Sequence, residues 1–455
     1  MSVNKMTTPI VDFVKKYADS KALRLHMPGH KGECFLGVEN LDITEIEGAD
    51  VLYSSKGIIR ESEQNAAAIF KTKKTVYSAE GSSLSIRAML YLVKIYAKTV
   101  GVKPIIAAGR NAHKTFVTAC GLLGLDPAWL LPENATDVIS CEITADFLEQ
   151  YLSSCSEKPV AVYVTSPDYL GNTADIKALS EVCKKHKVLL LVDNAHGAYL
   201  RFLEVSQHPI DSGADICCDS AHKTLPVLTG GAYLHISNTA PDFFSQNAEK
   251  AMSLFASTSP SYLILQSLDS ANKYLAENYG KKIKNTVSAV GELKRELLNN
   301  GYELVGNEPL KLTIKTKAYG YTGYEMAEIL AKQNIICEFS DPDYIVMMFT
   351  PQILNSQIES IKCELLKIER KNPIKTAPPH PILRKKEISV CVAINLPSVE
   401  ISIDECEGKI AAAPTVNCPP AVPIVICGEV IDDKAIKDFK YYGIEKCLVI
   451  NEKFM

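Results

Sequence analysis

Residues 188–197 read VLLLVDNAHG, an unbroken apolar run closed by Asp193 and opening into a polar turn. Five consecutive apolar residues have the length of a strand buried on both faces, which is how strands of a parallel sheet read. An acidic residue at the carboxyl end of such a strand has two readings. It caps the following helix, or it faces the crevice where open parallel sheets bind ligands. In the second role a carboxylate can hold the nitrogen of a pyridine-like cofactor protonated and make that ring a better electron sink. Taken alone, Asp193 fits either.

Outward from this stretch, PIIAA (104–108), VAVYV (160–164), ICC (216–218) and AYLHI (232–236) are further short apolar runs, each followed by a polar or glycine-bearing turn. The spacing predicts helices between them, over 84–98 and 176–187 among others. Strands alternating with helices are the α/β signature. A long helical region is expected over 262–299, and a second α/β-like segment over 302–368. The stretch KNPIKTAPPHP, 371–381, carries four prolines in eleven residues, cannot continue a helix and reads as a linker. Several short apolar strands follow it. A chain of 455 residues exceeds what one core supports. The expected division is a large domain at 1–275, a small α/β domain at 276–372 and a C-terminal domain at 373–455.

Composition narrows the function classes. With 47% hydrophobic and 22% charged residues and a formal net charge of -4, neither nucleic acid nor an acidic membrane surface is an expected partner. No apolar run approaches the roughly 18 residues of a membrane span. The opening MSVNKMTTPIVDFVKKYADSK lacks the apolar core of a secretion signal, so a cytoplasmic location is expected. None of the 14 cysteines forms a C-x-x-C pair, so reduced thiols are expected and no metal site is assigned.

Three more segments carry candidate chemistry. In CDSAHKTL (218–225), Lys223 lies between the apolar ICC and LPVL, not on a solvated face. An amine withdrawn from water reacts as the neutral form that Schiff-base formation needs. In EGSSL (80–84), Gly81, Ser82 and Ser83 open a predicted helix, where backbone amides, hydroxyls and the positive dipole end suit a phosphate. A plain serine N-cap explains that segment equally well. In GRNAHKT (109–115), His113 follows a strand and is placed to stack on a flat ring, though a lone histidine is more often a satisfied surface group.

Together and in this order, the segments resemble the prokaryotic ornithine/lysine/arginine decarboxylases, which are fold-type-I pyridoxal-phosphate enzymes. The resemblance is carried by LHMPGHKG (25–32), RNAHKT (110–115), TSPDYLG (165–171), VDNAHGAYLRF (192–202), SAHKTLPVLTGGAYLH (220–235) and STSPSYLILQSLDSA (257–271). It implies a PLP-dependent transferase-like large domain with a mixed, mostly parallel sheet, plus smaller α+β domains. It implies pyridoxal 5'-phosphate as cofactor, with Lys223 as the internal-aldimine lysine and Asp193 on the pyridinium nitrogen. His113 would stack on the ring, and His196 would lie near it as a catalytic group. Gly81, Ser82, Ser83, Ser220 and His222 would bind the phosphate. Ser257 or Thr258 would reach the phosphate of the partner subunit in a homodimer with shared active sites. The chain resembles the short form of the family, without the N-terminal wing domain.

The implied reaction is decarboxylation of arginine, lysine or ornithine to the amine, as in polyamine biosynthesis, with arginine the first choice. Another fold-type-I reaction such as transamination, and a catalytically silent homologue, are the alternatives. This chain departs from the family pattern at four places. Asn194 stands where an acidic residue is common, and Gly230 where many members have Gln. Ala413 and Cys418, in GKIAAAP (408–414) and NCPPAVP (417–423), replace an acidic residue and a tyrosine. These changes bear on the substrate more than on the cofactor.

Overall fold

The computed structural model describes residues 6–133, 135–416 and 420–454, so Cys418 lies outside the described residues. The elements run α1 (Pro9–Asp19), α2 (Ile58–Phe70), β1 (Lys74–Ser78), α3 (Gly81–Thr99), β2 (Ile106–Gly109), α4 (Lys114–Leu123), β3 (Ala128–Leu130), α5 (Ala145–Ser154), β4 (Ala161–Thr165), α6 (Ile176–His186), β5 (Leu189–Asp193), β6 (Ile216–Asp219), α7 (Ala221–Thr224) and β7 (Ala232–Ile236). Then follow α8 (Asp242–Ser253), α9 (Tyr262–Tyr274), α10 (Gly280–Asn299), β8 (Leu304–Val305), β9 (Lys311–Lys315), α11 (Gly323–Ala331), β10 (Phe339–Ser340), β11 (Tyr344–Met348) and α12 (Asn355–Lys367). The largest sheet has seven strands in the order β1-β7-β6-β5-β4-β2-β3. Its fold class is α/β with a mixed, mostly parallel sheet.

Every apolar run read as a strand forms one, four of them shifted or extended so that Gly109, Thr165, Asp193 and Asp219 become the last strand residues. β1 is the strand that the apolar-run criterion passes over. Its sequence KTVYS opens on two polar residues, yet all but Lys74 are buried. It pairs antiparallel with β7, from Lys74↔Ile236 to Ser78↔Ala232. β7 also runs antiparallel to β6. The expected long helical region is α9, a π turn at Leu275–Tyr279, and α10.

The chain divides into two compact units, Met1–Val100 with Leu190–Ile283, and Gly101–Leu189 with Lys284–Met455. In the first, α3 packs along β7 and β6, and α2 along β1. Phe70 of α2 meets the rings of Tyr233 and His235 at centroid distances of 5.3 and 4.5 Å. The start of α1 is held by the buried Asp269 of α9, whose Oδ2 accepts from the amides of Ile10 and Val11, both at 3.0 Å. These are first-turn amides with no partner in their own helix.

In the second unit, β4 and β3 flank β2 in parallel. A separate four-stranded sheet has the order β10-β11-β9-β8, each pair antiparallel. Residues 371–381 carry neither helix nor strand, as four prolines require. The C-terminal residues close around Ile403, Cys406, Val425, Phe439 and Val449. No helix among the described residues is long and apolar enough to cross a membrane.

Candidate active site

In the first unit, the carboxyl ends of β5 and β6 lie side by side in parallel register, with Asp193 opposite Cys218. Asp193 is only 2% exposed. Its Oδ1 accepts the Ala195 amide at 3.2 Å and the Cys218 thiol at 3.6 Å. The first of these is an Asx-type turn, which bends the chain sharply after the strand. The Gly197 amide donates to the Asn194 carbonyl at 2.8 Å and closes the bend. The turn delivers His196, itself buried, towards the end of the neighbouring strand.

Lys223 arrives there from β6. A single helical turn, α7, follows the strand, and the Lys223 amide donates to the Ser220 carbonyl at 3.0 Å. The Lys223 side chain is half-buried, and its Nζ is 3.0 Å from His196 Nε2. The lysine, the histidine and the strand-end carboxylate therefore come from two adjacent strand termini, the position at which parallel sheets bind ligands.

The glycine–serine segment forms a second part of the same unit. α3 starts at Gly81, whose φ of +72° suits glycine. The Gly81 amide donates to the Gly230 carbonyl at 2.7 Å. Ser220 Oγ donates to Ser82 Oγ at 2.7 Å, so hydroxyls from two strand-to-helix turns meet at the start of a helix of 19 residues. Ser83 is half-buried beside them in sequence. His222 donates from its amide and from Nδ1 to the Gly231 carbonyl, at 3.1 and 3.0 Å. Burial, and then the charge of Lys223, hold the His222 imidazole below its ordinary range.

Gly230 has a structural reason. Its φ is +100°, and a Cβ there would lie 2.9 Å from the Ala79 carbonyl oxygen. Ser257 and Thr258 are exposed, and the Ser257 amide donates to Glu80 Oε1 at 2.7 Å. Glu80 is the residue that precedes α3, so this loop is tied to the helix start of its own chain. In the second unit, His113 is the N-cap of α4 and accepts the Thr115 amide on Nδ1 at 3.1 Å. Ala413 is half-buried in that unit.

One group escaped the sequence reading. Asp219 is fully buried at the end of β6. Its Oδ1 accepts from Asn194 Nδ2 at 2.7 Å, and its Oδ2 lies 3.0 and 3.3 Å from the Nε2 atoms of His208 and His235. Burial pushes this carboxyl up, but the two imidazoles outweigh burial and hold it well below the ordinary carboxylate range. Ligand atoms of His208, Cys217 and Asp219 all lie within 4.8 Å of one another. The only signal in sequence is the acid directly before Ser220, with no indication of partners 11, 16 and 25 residues away.

The model of the Orn/Lys/Arg decarboxylase major domain matches residues 8–306, and that of the C-terminal domain matches 380–448. An arginine decarboxylase of Bacillus subtilis is 30% identical, over 94% of this chain and 92% of its own. One from Halalkalibacterium halodurans is 28% identical, over 94% and 91%. Among solved structures, the Francisella novicida lysine decarboxylase LdcF superposes with a TM-score of 0.78 at 15% identity, covering 98% of this chain and 81% of that one. With a family model spanning well over half of its length, the chain belongs to the Orn/Lys/Arg decarboxylase family.

Proposed function

We propose that the chain decarboxylates a basic amino acid, arginine first, and does so with pyridoxal 5'-phosphate. The observation that carries this reading is the pairing of Lys223 Nζ with His196 Nε2 at 3.0 Å, on strand ends that also bear the buried Asp193. The donor set suits the cofactor chemically: an amine for covalent attachment, an acid for a ring nitrogen, and two hydroxyls at a helix start for a dianion. When bound, pyridoxal phosphate supplies an electron sink for the pair left behind as carbon dioxide departs.

The chain's residues then divide the work. Gly81, Ser82, Ser83, Ser220 and His222 would hold the phosphate, with Ser257 or Thr258 contributing across a homodimer interface. Asp193 keeps a proton on the ring nitrogen. His113 covers the ring. Lys223 Nζ would be the amine that holds the cofactor and yields it to the substrate amine. Lys223 or His196 then returns a proton to the α-carbon, and their spacing lets one hold the proton that the other needs. A homodimer is supported by the segment after α1, where Leu23, Leu25, Phe35 and Leu36 are each at least 80% exposed. Arginine is favoured because two arginine decarboxylases align over nearly the whole chain.

The test supplies cofactor to the purified protein and measures carbon dioxide and amine from arginine, lysine, ornithine and neutral amino acids. Release from arginine supports the reading in full, and release from lysine or ornithine instead corrects the substrate. No release from any of them, despite a borohydride-reducible adduct on Lys223, overturns decarboxylation and retains the cofactor.

A further inference from the structure

We propose that Asn194 and Asp219 are positioning residues of the cofactor site, whose side-chain hydrogen bond ties the strand end bearing Asp193 to the turn bearing Lys223. The inference rests on the cofactor reading above.

The register places the pair. Asp193 is opposite Cys218, and the Asn194 amide continues the ladder by donating to the Cys218 carbonyl at 3.0 Å. Asn194 and Asp219 are thus the next opposed residues, on the sheet face away from Asp193. Both are fully buried, and their side chains meet at 2.7 Å. Asp193 precedes one member of the pair, and Ser220 follows the other. The bond therefore spans the point where β5 and β6 part to form the two turns of the site.

The chemistry of the pair is directional. Asp219 Oδ2 faces the imidazoles of His208 and His235. His208 Nδ1 accepts the Ile210 amide at 3.3 Å, which leaves the proton on Nε2, pointed at Asp219. His235 Nδ1 in turn bonds Thr75 Oγ1 at 2.9 Å. The His208 donor, with the His235 imidazole beside it, thus fixes Asp219 as the acceptor, and residue 194 must present a donor. An amide does so. A carboxylate at 194, the residue type common in the family, would oppose Asp219 at hydrogen-bond distance with no water between them. Asn194 Oδ1 is buried with no hydrogen-bond partner among the described residues. Burying that acceptor is a cost, offset by what the Nδ2 donor contributes. The departure at 194 is therefore matched by the acid at 219.

The test uses the full chain as wild type, Asn194→Asp, Asp219→Asn and the double exchange. In the double variant, an Asn at 219 offers Nδ2 to an Asp at 194 and Oδ1 to the two imidazoles. The readouts are the pyridoxal-phosphate dissociation constant, the borohydride-reducible adduct on Lys223, and the melting temperature with and without cofactor. Asn194→Asp is expected to weaken cofactor binding by about tenfold or more, the equivalent of about 1.4 kcal/mol. The double exchange is expected to recover most of that loss, together with the cofactor-induced rise in melting temperature. Wild-type affinity in Asn194→Asp, or no recovery in the double exchange, overturns the inference. So does a lower melting temperature with an unchanged cofactor-induced rise, which marks a purely structural pair. If Asn194→Asp does not fold, Asp219→Asn against the double exchange decides by the same criteria. A wild-type chain that forms no adduct overturns the cofactor reading and this inference with it, an outcome distinct from an adduct that forms equally in all variants.

Discussion

Lys223 Nζ and His196 Nε2 are 3.0 Å apart, joined from the ends of neighbouring parallel strands. The contact supports the proton-handling role proposed for His196, which a ring-packing histidine would lack. His196→Ala is expected to lower kcat by roughly 10²-fold or more, the scale of lost general acid–base catalysis. KM should move far less. A kcat within twofold of wild type in steady-state assays removes His196 from the proton path.

Lys223→Ala removes the amine that faces His196. The fold should persist, since α7 is a single turn held by Ala221 and Thr224, both buried, and by backbone bonds that do not involve the Lys223 side chain. Turnover should fall to background, and peptide mapping after borohydride should find no modified lysine between 216 and 231. Full turnover by this variant excludes Lys223 as the anchoring amine.

Much of this site is legible in the sequence because its parts sit next to one another along the chain. Asp193 and His196 share one turn after an apolar strand, and Lys223 follows another by four residues. Asp219 has the opposite character. Its partners Asn194, His208 and His235 become neighbours only through strand register and a loop that folds back. β1 is hidden for a related reason, because its burial comes from pairing with β7 and not from apolar content. Gly230 reads in sequence as a lost side chain, whereas its backbone conformation and the adjacent Ala79 carbonyl leave no room for one.

Asp193→Asn keeps the shape and removes the charge. The amide still offers an oxygen to the Ala195 N–H, so the turn after β5 is retained. Cofactor should still bind, while kcat falls by about 10²–10³-fold, the usual scale for losing one preorganised electrostatic partner. Unchanged kcat would mean that Asp193 does not hold the ring nitrogen.

Gly230→Gln restores the residue common in the family and should damage this chain. The substitution forces a side chain into φ +100° against the Ala79 carbonyl, in the loop whose own carbonyl holds the Gly81 amide. Strain of this kind costs about 1–3 kcal/mol. Thermal unfolding should show the loss, and Gly230→Ala should show it nearly as fully, since the clash begins at Cβ. A melting temperature equal to wild type in both variants would contradict the local geometry.

Glu63 makes stability fall with rising pH. It is buried on α2, with Oε1 accepting the Tyr77 amide at 2.9 Å. Burial pushes its carboxyl from 4.5 up to about 8, against the lowering effect of the Tyr77 amide and of Lys74. A folded-state pKa above the unfolded value means that the native state binds the extra proton. The stabilisation is therefore complete below about pH 4.5 and is lost as pH rises through about 8. Asp341, pushed up to about 7, and Asp137 and Asp269, each to about 6, act in the same sense at lower pH. His222 and His235, held below the usual 6.5 first by burial, act in the opposite sense, also at lower pH. Between pH 7 and 8 Glu63 thus contributes a falling slope, to which Asp341 adds near pH 7. The melting temperature of the wild-type chain should fall across that interval, and that of Glu63→Gln should fall much less. Equal slopes for the two proteins would show that Glu63 does not retain its proton in the folded state.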